Sequence, residues 1–230
     1  MTAGANPIVT NAGRGGNNPR NLLARMDADV LAHQPDLVIV GVGTNDAINS
    51  KNSVPLPEFE KNCTTLIQKI RAAGAEAVFI EPPPCFDPFV LKRHSAAFFQ
   101  DGSPSEKIRA YRAALRSVCE REHVPVVAVY ETFLNKGSIG ESKDSWLQNP
   151  ENSGRSDGVH PTAKGNQAIA DLVAQCLAEN GWSTREHIVC FGDSITFGAG
   201  VKGGGTVEGD CYPARLKQIL SAPAAIHPSL

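Results

Sequence analysis

No run of about 18 apolar residues occurs anywhere in this 230-residue chain, so no membrane-spanning helix is expected. No cluster of lysine and arginine stands out either. The 22 basic residues are set against 24 acidic ones, for a formal net charge of −2, which gives nucleic acid no electrostatic footprint. The opening MTAGANPIVTNAG has neither a basic patch nor a long apolar stretch. It is not read as a signal peptide, and a cytoplasmic location is expected. There is no Cys-x-x-Cys pair, no metal-like Cys/His spacing and no His-Glu-x-x-His motif, so the usual sequence signs of a metal site are missing. Phosphate- and dinucleotide-binding signatures fail as well. Lys202 precedes the glycines of 203–205 instead of following them, and Gly41-Val42-Gly43 lacks a third glycine. No cofactor is expected.

What is present is the composition of an ordinary globular chain, 41% hydrophobic and 20% charged. A chain of this length can bury a core without disulfide or metal support. It is read as one domain, 1–230, with residues 221–230 a loosely held tail. Of the six cysteines, Cys63, Cys119 and Cys176 fall in apolar helical stripes and Cys190 in a strand-like run. They are read as reduced core thiols.

Short apolar runs alternate with amphipathic segments. Strands are expected at Pro7–Asn11, Asp36–Val42, Ala75–Ile80, Val124–Tyr130 and His187–Phe191. Asp36–Val42 shows no polar alternation, which suits a parallel strand covered on both faces. Between the strands, Pro19, Pro57 and Pro161 are placed to open helices, and Ser103-Pro104-Ser105-Glu106 has the form of a capping box. A last helix is expected over Tyr212–Leu220, and 135–160 reads as a long loop. The repeated β-α order implies a three-layer α/β/α sandwich around a five-stranded parallel sheet.

In such sheets ligands gather beyond the carboxyl ends of the strands. Asn11-Ala12-Gly13-Arg14 follows the first strand, Gly43-Thr44-Asn45-Asp46 the second and Gly192-Asp193-Ser194 the last, while Asp157-Gly158-Val159-His160 precedes a helix. Acyl transfer needs a hydroxyl nucleophile, a base to take its proton, a carboxylate to orient the base, and donors for the developing oxyanion. Ser194, His160 and Asp157 can fill the first three roles. The Ser194 and Gly13 backbone N–H groups and the Asn45 amide can fill the fourth. Each segment alone reads as a helix cap or a turn; together they supply every part of one mechanism.

These segments, with Phe191-Gly192-Asp193-Ser194-Ile195-Thr196 at their centre, resemble the four blocks of the GDSL/SGNH hydrolases, a family named for its Ser, Gly, Asn and His. The resemblance implies Ser194 as nucleophile, His160 as base with Asp157 as its partner, and an oxyanion hole from Ser194, Gly13 and Asn45. It also implies a flavodoxin-like sheet and a serine esterase, acetylesterase or lipase. One departure is large. The family's Gly-Asp-Ser block comes first, and here it comes last. The order reads as a circular permutation, with strand order 1-5-2-3-4 in this chain's numbering. The expected substrate is a small-molecule short-chain carboxylic ester, such as a sugar acetate, with thioesters and lysophospholipids as further options. An acyltransferase on the same site, and a non-catalytic carbohydrate-binding or scaffold protein, are the alternatives. The remaining features have plainer readings. Residues 198–206 are a loop beside the nucleophile, and Phe86, Phe89, Phe98 and Phe99 pack a satellite core. Arg14 faces solvent, and His94 lies at the surface or a helix end.

Overall fold

A computed structural model describes residues 6–100 and 102–222. From residue 223 on, the expected loose tail lies outside the described residues. The chain runs β1 (Ile8–Gly13), α1 (Pro19–Asp29), β2 (Leu37–Gly41), α2 (Thr44–Ile48), α3 (Leu56–Ala72) and β3 (Glu76–Ile80). It continues with α4 (Asp87–Val90), α5 (Pro104–Arg121), β4 (Val126–Val127), α6 (Val129–Lys136) and α7 (Pro150–Ser153). It closes with α8 (Ala163–Glu179), β5 (His187–Gly192), α9 (Ser194–Phe197) and α10 (Tyr212–Ser221). Local chemistry sets these starts. Asn18 caps α1 ahead of Pro19, its Oδ1 accepting from Asn21 N–H at 3.2 Å. Ser103 and Glu106 close a reciprocal box at α5, at 3.2 and 2.7 Å.

All strands are parallel and lie in the order β1-β5-β2-β3-β4, as the permuted reading requires. β5 inserts between the first two strands, pairing Gly192 with Gly13 on one side and with Gly41 on the other. Side chains alternate across the sheet. Val38, Val40, Phe79, Val189 and Phe191 pack with Leu22 and Met26 of α1, Phe59 and Leu66 of α3, and Leu115 of α5. Leu37, Ile39, Val78, Ile188 and Cys190 face Ile169 and Val173 of α8 and Tyr212 and Leu216 of α10. Both faces are covered, which is why the strands read as unbroken apolar runs. All six cysteines are free and buried. Among the described residues no helix is long and apolar enough to cross a membrane.

Three expectations change. Val124–Tyr130 supplies only a two-residue strand, and helix α6 begins at Val129. The cause is Glu81, at the end of β3, whose Oε1 accepts from Tyr130 N–H at 2.8 Å and draws the chain out of the ladder. Glu81 is wholly buried, and Arg112 Nε and Arg116 Nη1 both donate to its Oε2 at 2.8 Å. Pro161 does not open a helix: it bridges antiparallel to Leu147, and Thr162 caps α8 through Gly165 N–H at 3.2 Å. The stretch 135–160 is not structureless, since it holds the end of α6 and all of α7, the latter capped by Asn149.

Candidate active site

The nucleophile candidate stands where β5 gives way to α9. Asp193 is the N-cap, its Oδ1 accepting from Ile195 N–H at 2.8 Å, and Ser194 is the first helical residue. Two glycines let this short helix sit directly on the sheet edge. A Cβ on Gly192 would lie 2.2 Å from Thr196 Oγ1, and one on Gly13 would lie 2.1 Å from Phe197 N. Thr196 Oγ1 also meets the buried Tyr212 hydroxyl at 3.2 Å, fixing α9 against α10.

Ser194 is half-buried, and its Oγ lies 2.9 Å from His160 Nε2. His160 Nδ1 in turn lies 2.8 Å from Asp157 Oδ2. Asp157 Oδ1 accepts from the backbone N–H groups of Val159, at 2.9 Å, and His160, at 2.7 Å. The three-residue spacing thus folds into an Asx-type turn that aims the imidazole. Burial pushes the Asp157 carboxyl up, but the His160 ring and these N–H donors outweigh it and hold the group well below the usual carboxylate range. Gln148 steadies the loop, donating through Nε2 to Pro161 O at 3.1 Å and Ala199 O at 2.7 Å.

Asn45 lies beside Ser194, buried, in the first turn of α2. Its amide orientation follows from a chain of partners. Lys51 N–H donates to Asn49 Oδ1, so Asn49 Nδ2 faces Asn45 Oδ1 at 3.0 Å, which leaves Asn45 Nδ2 as the donor. That nitrogen bonds Asn17 O at 3.0 Å and Asp193 Oδ2 at 3.2 Å. Gly13 is different from its expected role. Its N–H is engaged by Asn11 Oδ1 at 3.0 Å, and the residue does not line the cavity at Ser194. It serves as the floor under α9. Gly16 does line that cavity, at φ +75°, and its N–H has no partner among the described residues. The sequence holds Gly13, Gly15 and Gly16 within four positions, and nothing in it ranks them.

The cavity measures about 340 Å³ and brings together Ser194, His160, Asn45, Gly16, Arg93 and His94, with Ile48, Val159 and Ala199 as its larger apolar lining. Arg93 and His94 belong to no motif and escape a sequence reading. His94 Nδ1 meets Ser50 Oγ at 3.0 Å, and burial with nearby Arg93 and Lys51 lowers its proton affinity. Behind the site, burial raises Asp193 to about 6 against the opposing Ile195 N–H and His160. Asp46, buried beside it, reaches about 8 for the same reason, with Asp193 adding repulsion. The four phenylalanines stand outside the lining of the cavity; Phe86 and Phe89 pair edge to face, as do Phe98 and Phe99. Arg14 pairs with Asp29 at 2.8 Å, and Gly204 and Gly205 of the 198–206 loop pack against the Phe197 ring. Among the described residues no cluster of three His, Cys, Asp or Glu side chains could hold a metal ion.

The profile of the GDSL-like Lipase/Acylhydrolase family matches residues 2–168, a span that includes Asn45, Asp157 and His160 and ends before Ser194. A Bacillus subtilis protein named rhamnogalacturonan acetylesterase RhgT is 24% identical over 198 residues, covering 79% of each chain. The uncharacterized lipoprotein YqeF of the same organism is 27% identical over 173 residues, covering 70% of each. A GDSL esterase/lipase of Arabidopsis thaliana is 26% identical over 159 residues, and the chain spans only 46% of its length. Among solved structures, the lipase/acylhydrolase from Enterococcus faecalis superposes with a TM-score of 0.56 at 21% identity, covering 72% of each chain, which establishes likeness of fold.

Proposed function

The chain belongs to the GDSL-like lipase/acylhydrolase family, whose members are ester hydrolases, and on that premise we propose that it cleaves short-chain carboxylic esters through an acyl-Ser194 intermediate. The unbroken relay Ser194–His160–Asp157, at 2.9 and 2.8 Å on the wall of a cavity, carries this reading. Ser194 Oγ attacks the carbonyl carbon as His160 Nε2 takes its proton. Asp157 holds the imidazole and offsets the charge it gains. The bond to the alcohol oxygen breaks as His160 returns the proton to that oxygen. Water then attacks the acyl group through the same base, and the acid leaves with Ser194 restored. The oxyanion donors in this scheme are the Ser194 N–H, which as a first helical residue has no intrahelical partner, the Asn45 amide and the Gly16 N–H. Asn45 gives up its longer bond, to Asp193, to serve the oxyanion.

The acyl side is short in this reading, because Ile48, Val159 and Ala199 are the main apolar groups that line the cavity. The name of the rhamnogalacturonan acetylesterase relative adds support for an acetyl ester of a carbohydrate. A panel of p-nitrophenyl acetate, butyrate and octanoate with acetylated sugars tests the scheme. Acetyl esters should lead, and Ser194→Ala should lose about 10⁴-fold or more in kcat. Equal rates for wild type and Ser194→Ala would sink the serine mechanism, and full activity of His160→Ala would remove the base.

A further inference from the structure

The segment 86–94 clasps the loop that carries Asp157. Phe86 N–H donates to Gly158 O at 2.8 Å. Gly158, at φ +69°, packs so closely that a Cβ would lie 3.0 Å from both Phe86 O and Phe89 Cβ. The clasp is anchored in turn, since Asp87 Oδ1 accepts from Ser105 N–H at 2.9 Å and Ser105 Oγ–H at 2.6 Å in the first turn of α5. Arg93 closes it. The residue is held by a turn in which its N–H donates to Val90 O at 3.0 Å. From there Nη2 donates to Asp157 O at 2.6 Å and Nη1 to Asp157 Oδ2 at 3.3 Å.

Arg93 also lines the cavity, where no carboxylate does. Two readings of such a residue compete: it grips an anionic substrate, or it acts on the triad. Its two terminal nitrogens are already committed to Asp157, and a forked guanidinium so engaged is a poor free anion site. Resting on the Ser194–His160–Asp157 reading, we propose that Arg93 is a positioning residue that pins the Asp157 loop and moderates the charge Asp157 presents to His160. The fork fixes both the main chain and the carboxylate of a residue that lies outside any helix or strand. The same positive charge stands at 3.3 Å from the carboxylate oxygen that faces the His160 ring, so its removal is read in the pH profile. Other charged or titratable groups surround the pair. Asp193 lies behind Ser194, Asp46 beside Asn45, His94 next to Arg93, and Lys51 near His94. Among the described residues only His160 and Arg93 bond the Asp157 carboxylate through side chains.

The test compares wild type with Arg93→Gln and Arg93→Lys on neutral p-nitrophenyl acetate and on an anionic ester, 4-acetoxybenzoate. For Arg93→Gln, kcat should fall about tenfold to hundredfold on both esters, with KM within about twofold. The acid limb of its kcat/KM profile should move to higher pH. Arg93→Lys keeps the charge without the fork, so it should leave the limb in place and restore part of kcat. A rise in KM confined to the anionic ester would overturn the proposal in favour of substrate binding. A kcat loss with an unmoved acid limb and no recovery in Arg93→Lys would reduce Arg93 to a stabilising contact and also overturn it. Labelling of Ser194 by an organophosphorus probe separates this from the underlying mechanism. Wild type that labels while Arg93→Gln behaves as wild type defeats only the Arg93 role; wild type that neither labels nor outpaces Ser194→Ala defeats both.

Discussion

Gly13→Ala separates two roles for the same residue. An ideal Cβ there would sit 2.1 Å from Phe197 N and 2.6 Å from both Phe197 Cα and Thr196 C. Carbon contacts are comfortable only beyond about 3.5 Å, so α9 must retreat by about 1 Å or more. The colliding atoms are backbone and cannot rotate aside. Ser194 begins the same four-residue helix and moves with it. A displacement of about 1 Å at a reacting group costs on the order of a hundredfold in rate. Overpacking of this kind costs about 1–3 kcal/mol, and Tm falls by about 2–4 °C for each of those in a chain this long. Steady-state hydrolysis of p-nitrophenyl acetate should therefore show kcat/KM down about a hundredfold, with the rate of organophosphorus labelling reduced in parallel. An alanine keeps its N–H, so a Gly13 needed only as a donor would tolerate the change. Gly15→Ala is the control, since its Cβ would meet nothing within 4 Å. Wild-type rate and Tm in Gly13→Ala would refute the account of how α9 is seated.

Asn45→Ala should lower kcat by about 10²–10³ with little change in KM, read from saturation kinetics, as expected for loss of one oxyanion donor. Glu81→Ala leaves Arg112 with Glu131 alone, leaves the half-exposed Arg116 without its Glu81 partner and frees the Tyr130 N–H, so urea unfolding should show a loss of about 1–3 kcal/mol; no loss would contradict the Glu81 network. Asp46 has a folded value raised from 3.8 to about 8 by burial and by Asp193. Between those values the unfolded chain binds fewer protons at this group than the folded one, so its contribution makes stability fall as pH rises through that window. Asp46→Asn should remove that slope, gaining on wild type from pH 5 to pH 8 in urea midpoint, and a constant difference between the two proteins would argue against it.

The sheet was legible because burial on both faces leaves an unbroken apolar run, as in Asp36–Val42, and proline or an Asx cap marks many helix starts. The segments of the candidate site were legible because Ser194, His160 and Asp157 are the residue types that acyl transfer calls for, and the structure brings them together. What escaped depends on distant partners. Glu81 ends the fourth strand early by capturing Tyr130 N–H, and no local pattern at 124–130 announces that. Gly13 and Gly16 differ only in what packs against them, α9 against one and the cavity against the other. Arg93 reaches Asp157 from across 64 positions of sequence, as an unremarkable arginine in a short turn.

The permuted order leaves the geometry of the candidate site intact and changes how far apart its parts lie in sequence. Among the described residues β1 has a single sheet neighbour, β5, the last of the described strands. Gly13 and Gly192 are register partners, and α9 rests on both. Asn11 of β1 donates to Phe197 O at 3.4 Å and Thr206 O at 3.0 Å, joining β1 to the segment beyond Ser194. In the family's usual order the Ser strand precedes β1, so these contacts close a modest loop. Here the same contacts span nearly the whole chain. Loop closure costs rise only slowly with length, so final stability changes little, while long-range pairing slows folding. The β2–β3–β4 part of the sheet and its helices can form from local units, but β1 gains no sheet partner until β5 arrives. The place of β5 between β1 and β2 joins the sheet, brings Ser194 to His160 and seats α9 on Gly13 and Gly192. A triad is defined by position in space and not by chain order, and in this chain the proposed nucleophile, Ser194, follows β5, the last of the described strands.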